Sequence, residues 1–261
     1  MESSVIKTAR GADIRLYSGG TGPALVYLHG VTGLMTDDPF LAALSERFTI
    51  YAPVLPGYED STGQDDVDDV LEFALHGHDV IDALALPVKP ILAGHCLGGM
   101  IAAEMAAIAP NEFNQLILIG ALGLWDDNLP VPDLFATLPF ELPALMFNDA
   151  QLGQQLLSSG MDFNDPEFLT EYLVGNANRM GMAGKLLFPI PERGLARRLY
   201  RIKARTALIW GESDKLVTPA YAEKFQALVT SAEVHKIPGG HMVHYESTAA
   251  AVDVMVGFVG G

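Results

Sequence analysis

Cys96 is the only cysteine among 261 residues, and it lies in Gly94-His95-Cys96-Leu97-Gly98-Gly99. Before it, Pro90-Ile91-Leu92-Ala93 reads as a short apolar strand; after it, Met100 to Ile108 reads as an alanine-rich helix. A strand that turns sharply through glycines into a helix leaves one side chain at the apex, above the sheet, in a strained backbone conformation. That side chain is Cys96. A thiol attacks a carbonyl as the thiolate, and a helix N-terminus and a neighbouring imidazole both favour that form. A lone thiol excludes an internal disulfide and fits a reducing compartment. No H-E-x-x-H, G-x-G-x-x-G or P-loop pattern occurs, so no metal and no cofactor is implied.

The elements around this turn repeat one rhythm. Val5-Ile6-Lys7 and Ile14 to Tyr17 read as an N-terminal antiparallel hairpin. Ala24 to Leu28 is a continuous apolar run, the mark of a strand buried on both faces, and it ends at His29-Gly30-Val31. Further strands are expected at Phe48–Ala52, Leu116–Ile119, Thr206–Trp210 and Ala232–Ile237, most of them stopped by glycine or proline. Helical spacing covers Phe40–Leu44, Asp69–Leu86 and Ala249–Val259, the last with Ser247 or Thr248 available as cap. The acidic run Asp65 to Asp69 leads into the second of these, where carboxylates favour the positive end of the helix dipole. Strands alternating with helices imply an α/β fold, a mostly parallel sheet flanked by helices, with its site at the carboxyl ends of the strands.

The strand–turn–helix around Cys96 resembles the G-x-S-x-G nucleophile elbow of the α/β-hydrolases, with cysteine in place of serine. Two later loops resemble the same family. Gly239-Gly240-His241 resembles its histidine loop, and Trp210-Gly211-Glu212-Ser213-Asp214 its acid loop. The resemblance therefore implies Cys96 as nucleophile, His241 as base and Asp214 as the acid that orients it. His244 competes with His241 but reads as a surface or supporting residue. Glu212 reads as a turn residue, and Asp126 or Asp127 are the reserve acids. The oxyanion hole would be the backbone N–H groups of Val31 and Leu97. His29 resembles the histidine that holds the turn after the first parallel strand. His95 reads as packing, and His76, His78 and His235 as ordinary surface or helix residues. Pro56-Gly57-Tyr58-Glu59-Asp60-Ser61 resembles the family's Pro-Gly-x-Gly-x-Ser loop, with Glu59 in place of the second glycine.

From about Leu124 to Arg201 the strand rhythm breaks. Seven prolines and many large apolar residues, among them Phe140, Met146, Phe147, Met161, Phe163 and Met182, predict several helices with proline breaks. The resemblance makes this a helical cap, 124–201, inserted in a core formed by 1–123 and 202–261. Most of these apolar residues must form the cap's own core, and a few should wall a methionine-adaptable pocket.

The formal charge of −16 argues against a nucleic-acid partner, because phosphate binding requires a basic patch, and less strongly against anionic membranes and polyanionic substrates. No apolar run reaches the ~18 residues of a membrane span, and the start lacks a signal-peptide pattern, so the cytoplasm is the default. The expected function is a cofactor-independent hydrolase of an ester, lactone or similar activated carbonyl in a hydrophobic small molecule, through an acyl-thioester. A C–C bond hydrolase acting on a diketone or ring-cleavage product is the alternative, followed by an acyltransferase. A ligand-binding receptor with little turnover is the reading from another class.

Overall fold

Eight strands form one sheet in the order β1-β2-β4-β3-β5-β6-β7-β8 in the computed structural model, which describes residues 1–35, 37–158 and 164–261. The strands are β1 (Glu2–Lys7), β2 (Asp13–Gly19), β3 (Ala24–Leu28), β4 (Thr49–Pro53), β5 (Ile91–His95), β6 (Gln115–Ile119), β7 (Arg205–Gly211) and β8 (Ala232–Ile237). β1 pairs antiparallel with β2, and β2 antiparallel with β4; every other pair is parallel. The register aligns Leu28 with Gly94, His95 with Ile119, and Ile119 with Ile209. The loops after β3, β5, β6, β7 and β8 therefore leave one edge together.

The helices are α1 (Pro39–Ser45), α2 (Val70–Ala83), α3 (Cys96–Ile108), α4 (Leu142–Met146), α5 (Ala150–Leu157), α6 (Pro166–Leu187), α7 (Ala220–Leu228), α8 (Val243–Glu246) and α9 (Thr248–Gly260). Asp38 caps α1 through the Leu41 N–H, and Asp69 caps α2 through the Leu71 and Glu72 N–H groups. The acidic run thus does feed a helix start. α3 is buried almost throughout, including Glu104, whose carboxylate is held by Arg198 at 2.6 and 2.7 Å. Ser247 occupies the N-cap position of α9, but its hydroxyl donates to the Pro238 carbonyl at 2.5 Å instead of capping.

Between β6 and β7 the described residues carry helices and no strand, as the proline-rich composition predicts. Leu142, Met146, Phe147, Met182, Leu186 and Leu187 are buried there and continue the sheet's apolar core. Met161 and Phe163 lie outside the described residues, and Phe140 and Phe188 are exposed. Among the described residues no helix is long and apolar enough to cross a membrane.

For two histidines the structure selects between the alternatives. His76, read as a surface or helix residue, is a buried residue of α2, where desolvation lowers its pKa to about 4. His244 is 1% exposed, which rules out its surface reading.

Candidate active site

Cys96 stands at the junction of β5 and α3 with φ = +54°. A non-glycine residue in the left-handed region costs about 1–2 kcal/mol, so the surrounding contacts must hold it there. They do so through glycines. A Cβ on Gly98 would overlap the Leu28 and His29 carbonyls, and one on Gly94 would overlap the backbone of Gly98. Only hydrogen at these positions lets the start of α3 sit against the end of β3. A Cβ on Gly30 would lie 3.0 Å from Cys96 Cβ and 2.7 Å from His95 Nδ1. The Gly30–Val31 peptide consequently lies against the thiol-bearing turn.

His241 follows β8 and Asp214 follows β7, and the two side chains meet with no solvent exposure. His241 Nδ1 donates to Asp214 Oδ2 at 2.9 Å. Asp214 Oδ1 accepts the Leu216 and Val217 N–H groups at 2.9 and 2.8 Å, which fixes the carboxylate. His241 Nε2 is buried and hydrogen-bonds to none of the described residues. Burial alone would lower the pKa of His241. Its interactions with Asp214 and Cys96 outweigh it and raise the imidazole to about 10. Electrostatics thus tie Cys96, His241 and Asp214 into one unit.

The reserve acids are engaged elsewhere. Asp126 pairs with Lys224 at 2.5 Å, and Asp127 accepts from Trp125 Nε1 at 2.8 Å. Glu212 is exposed. His29 Nδ1 donates to the Gly30 carbonyl at 2.8 Å, while its Nε2 accepts the Leu55 N–H at 3.0 Å. Both ring nitrogens are used, and burial lowers its pKa to about 4, so the ring is neutral and structural. His95 donates from Nε2 to the His241 carbonyl at 3.1 Å and packs on His244 with ring centres 4.2 Å apart. His244 in turn shares a 3.3 Å hydrogen bond with the Tyr27 hydroxyl. His241 therefore rests on a buried wall of rings.

Val31 and Leu97 are both buried. Leu97 is in the first turn of α3, where N–H groups lack intrahelical acceptors. Above the turn that continues from Val31 lies a cavity of about 170 Å³, lined by Thr32, Gly33, Leu142, Leu157 and Tyr172 among others.

Sequence reasoning missed two supporting residues. Gly120 has φ = +49°, and a Cβ there would lie 3.2 Å from His241 Cε1 and 3.4 Å from Asp214 Oδ2. Its glycine was legible only as a strand stop. Glu246 accepts the N–H groups of Gly240, Asn148 and Asp149 at 2.5, 2.9 and 2.9 Å, joining the His241 loop to the segment before α5. Glu59 keeps a left-handed backbone, φ = +48°, at the position where the resemblance expected glycine, and its carboxylate accepts the Tyr17 hydroxyl at 2.9 Å.

The model of the Alpha/beta hydrolase family matches residues 25–254. The chain is 27% identical to the 2-hydroxy-6-oxo-6-phenylhexa-2,4-dienoate hydrolase of Burkholderia cepacia, covering 91% of this chain and 87% of that one. It is 23% identical to Lipase 3 of Moraxella sp., covering 82% and 70%. Among solved structures, a bacterial membrane phospholipase A superposes with a TM-score of 0.79 at 23% identity, covering 100% of this chain and 86% of that one.

Proposed function

Since the chain belongs to the alpha/beta hydrolase family and is a hydrolase of that fold, we propose that it cleaves an ester, lactone or similar activated carbonyl by Cys-His-Asp catalysis. One observation carries this reading. A strained cysteine at the apex of the β5–α3 turn stands beside a buried histidine that Asp214 holds by its Nδ1.

His241 Nε2 takes the proton of the Cys96 thiol, giving a thiolate–imidazolium pair. Cys96 Sγ attacks the carbonyl carbon, and its electrons move onto oxygen, where the Val31 and Leu97 N–H groups receive them. Collapse expels the alkoxide, which takes the proton from His241 Nε2 and leaves an acyl-thioester. Neutral His241 then removes a proton from water as it attacks the thioester. Breakage of the C–S bond releases the acid and restores the pair. Asp214 holds the ring and stabilises its charged form without taking the proton. The cap, 124–201, supplies the apolar wall for a hydrophobic small molecule.

C–C bond hydrolysis is the second reading, favoured by the similarity to the Burkholderia hydrolase of a dienoate. The same addition would cleave a carbon leaving group after its protonation.

Intact-protein mass spectrometry after incubation with p-nitrophenyl acetate, beside Cys96→Ala, tests the proposal. A one-acetyl increase that maps to Cys96 and decays with acetate release is expected. A stable adduct discharged by an added amine or alcohol would replace hydrolysis with acyl transfer. Absence of adduct, with equal background turnover in Cys96→Ala, would overturn the mechanism.

A further inference from the structure

Arg179 has no structural employment that accounts for it. Tyr172, Asn176 and Arg179 are spaced four and three apart on α6 and share one helix face, which lines the cavity over Thr32 and Gly33. A Cβ on Gly33 would lie 3.9 Å from Arg179 Cδ, and one on Gly175 would lie 3.4 Å from Arg179 Nη1. The side chain therefore runs back along α6, as helical side chains do, over the turn that carries the Val31 amide. Arg179 Nε is buried and makes no hydrogen bond with the described residues. No carboxylate of the described residues forms an ion pair with the guanidinium.

A buried N–H on a cation without a partner is costly unless a ligand completes it. Neutralising nearby acids is the competing role, since Asp37, Asp38, Glu59 and Glu171 line the wider mouth that Arg179 also borders. Two of these acids are already engaged. Asp38 accepts the Leu41 N–H and the Tyr245 hydroxyl, and Glu59 accepts the Tyr17 hydroxyl. In a chain of charge −16 an anion finds little general attraction, so its recognition needs a local cation.

We propose that Arg179, with Asn176 beside it, binds a carboxylate of the substrate, so that the preferred substrate carries an anionic group on the acyl side of the carbonyl presented to Cys96. A planar guanidinium matches a carboxylate in two parallel hydrogen bonds, and the Asn176 amide can donate a third. This rests on the hydrolase reading for the identity of the reacting carbonyl, while the anion site itself does not.

Two measurements separate the two ideas. The first is calorimetric binding of 5-phenylpentanoate and its neutral amide to Cys96→Ala, with and without Arg179→Gln or Arg179→Lys. The carboxylate should bind about 10- to 100-fold more tightly than the amide. That preference should vanish in Arg179→Gln and survive in part in Arg179→Lys, which also shows that the cap still folds. The second compares kcat/KM for mono-p-nitrophenyl adipate and p-nitrophenyl hexanoate in otherwise wild-type protein. Arg179→Gln should lower the adipate-to-hexanoate ratio by about tenfold or more, through KM for the adipate. Equal binding of acid and amide, or a substrate ratio unmoved by Arg179→Gln, would overturn the anion site and leave the hydrolase reading standing. Acid-selective binding that depends on Arg179, with neither ester cleaved, would retain the site and sink the hydrolase reading.

Discussion

Asp214 Oδ2 accepts from His241 Nδ1 at 2.9 Å, although the two residues stand on loops after different strands. The same carboxylate accepts two backbone N–H groups through its other oxygen, so its orientation is fixed before it meets the imidazole. Asp214→Asn would keep the shape and lose the charge and the tautomer. Hydrolysis of p-nitrophenyl acetate should then fall by about 10²- to 10⁴-fold in kcat. Glu212→Gln and Asp126→Asn, whose side chains lie away from the ring, should stay within about threefold of the parent.

The interaction with Cys96 is one of the causes that raise His241 to about 10. Cys96→Ala removes that interaction while Asp214 remains. The His241 pKa should drop below about 10 in the variant. Imidazole ¹⁵N shifts followed through the titration measure it directly. An unchanged pKa would mean that the thiol is neutral beside the ring.

The elbow was readable from its residue types alone, because Gly94, Gly98 and Gly99 are required by backbone contacts that any side chain would violate. The buried strands were equally plain, since β3, β5, β6 and β7 are apolar on both faces. What the sequence hid is long-range. Nothing near Glu246 in the chain signals that it accepts N–H groups from Asn148 and Asp149, 98 and 97 residues away. His244 looks polar in sequence, but the fold surrounds it with Tyr27, Phe40, His95 and Tyr245. Arg179 reads as one more surface charge on a helix until its face is seen to meet Gly33.

Glu246 joins the His241 loop to the segment before α5 through three backbone N–H groups. Glu246→Ala leaves all three without that acceptor and frees the peptide that leads into His241. Stability should fall by roughly 2–4 kcal/mol in urea unfolding. The kcat for p-nitrophenyl acetate should fall as well, even where the protein is fully folded. Glu246→Gln, which keeps the oxygen acceptor, should recover most of the stability.

Buried histidines give stability an acid limb. Unfolded, each titrates near 6.5; burial holds His29 at about 4, His76 at about 4 and His244 at about 3 in the fold. Between these values the unfolded chain binds more protons, so stability falls as pH drops from about 6.5 toward the folded values. At about pH 5 each excluded proton costs roughly 2 kcal/mol. His241 works in the opposite sense: its contribution is complete below about 6.5 and is lost as pH rises through about 10. Urea midpoints should therefore peak between these limits. His76→Gln, remote from Cys96, should flatten the acid limb by about one proton.

Glycines offer a direct test of which backbone contacts hold Cys96 in its left-handed conformation. A Cβ at Gly98 would overlap the carbonyls of Leu28 and His29, which are backbone atoms fixed by β3 and the structural His29 ring. Neither can retreat without opening the β3–β5 pairing, so Gly98→Ala should cost more than about 3 kcal/mol or prevent folding. Gly181 is the opposite case. It lies within α6, and a Cβ there meets nothing within 4 Å. Alanine lowers the entropy of the unfolded chain and suits the helix, so Gly181→Ala should add about 0.5–1 kcal/mol. Thermal unfolding of the two variants reads out both effects, and similar shifts in the two would show that the turn around Cys96 is looser than these contacts require.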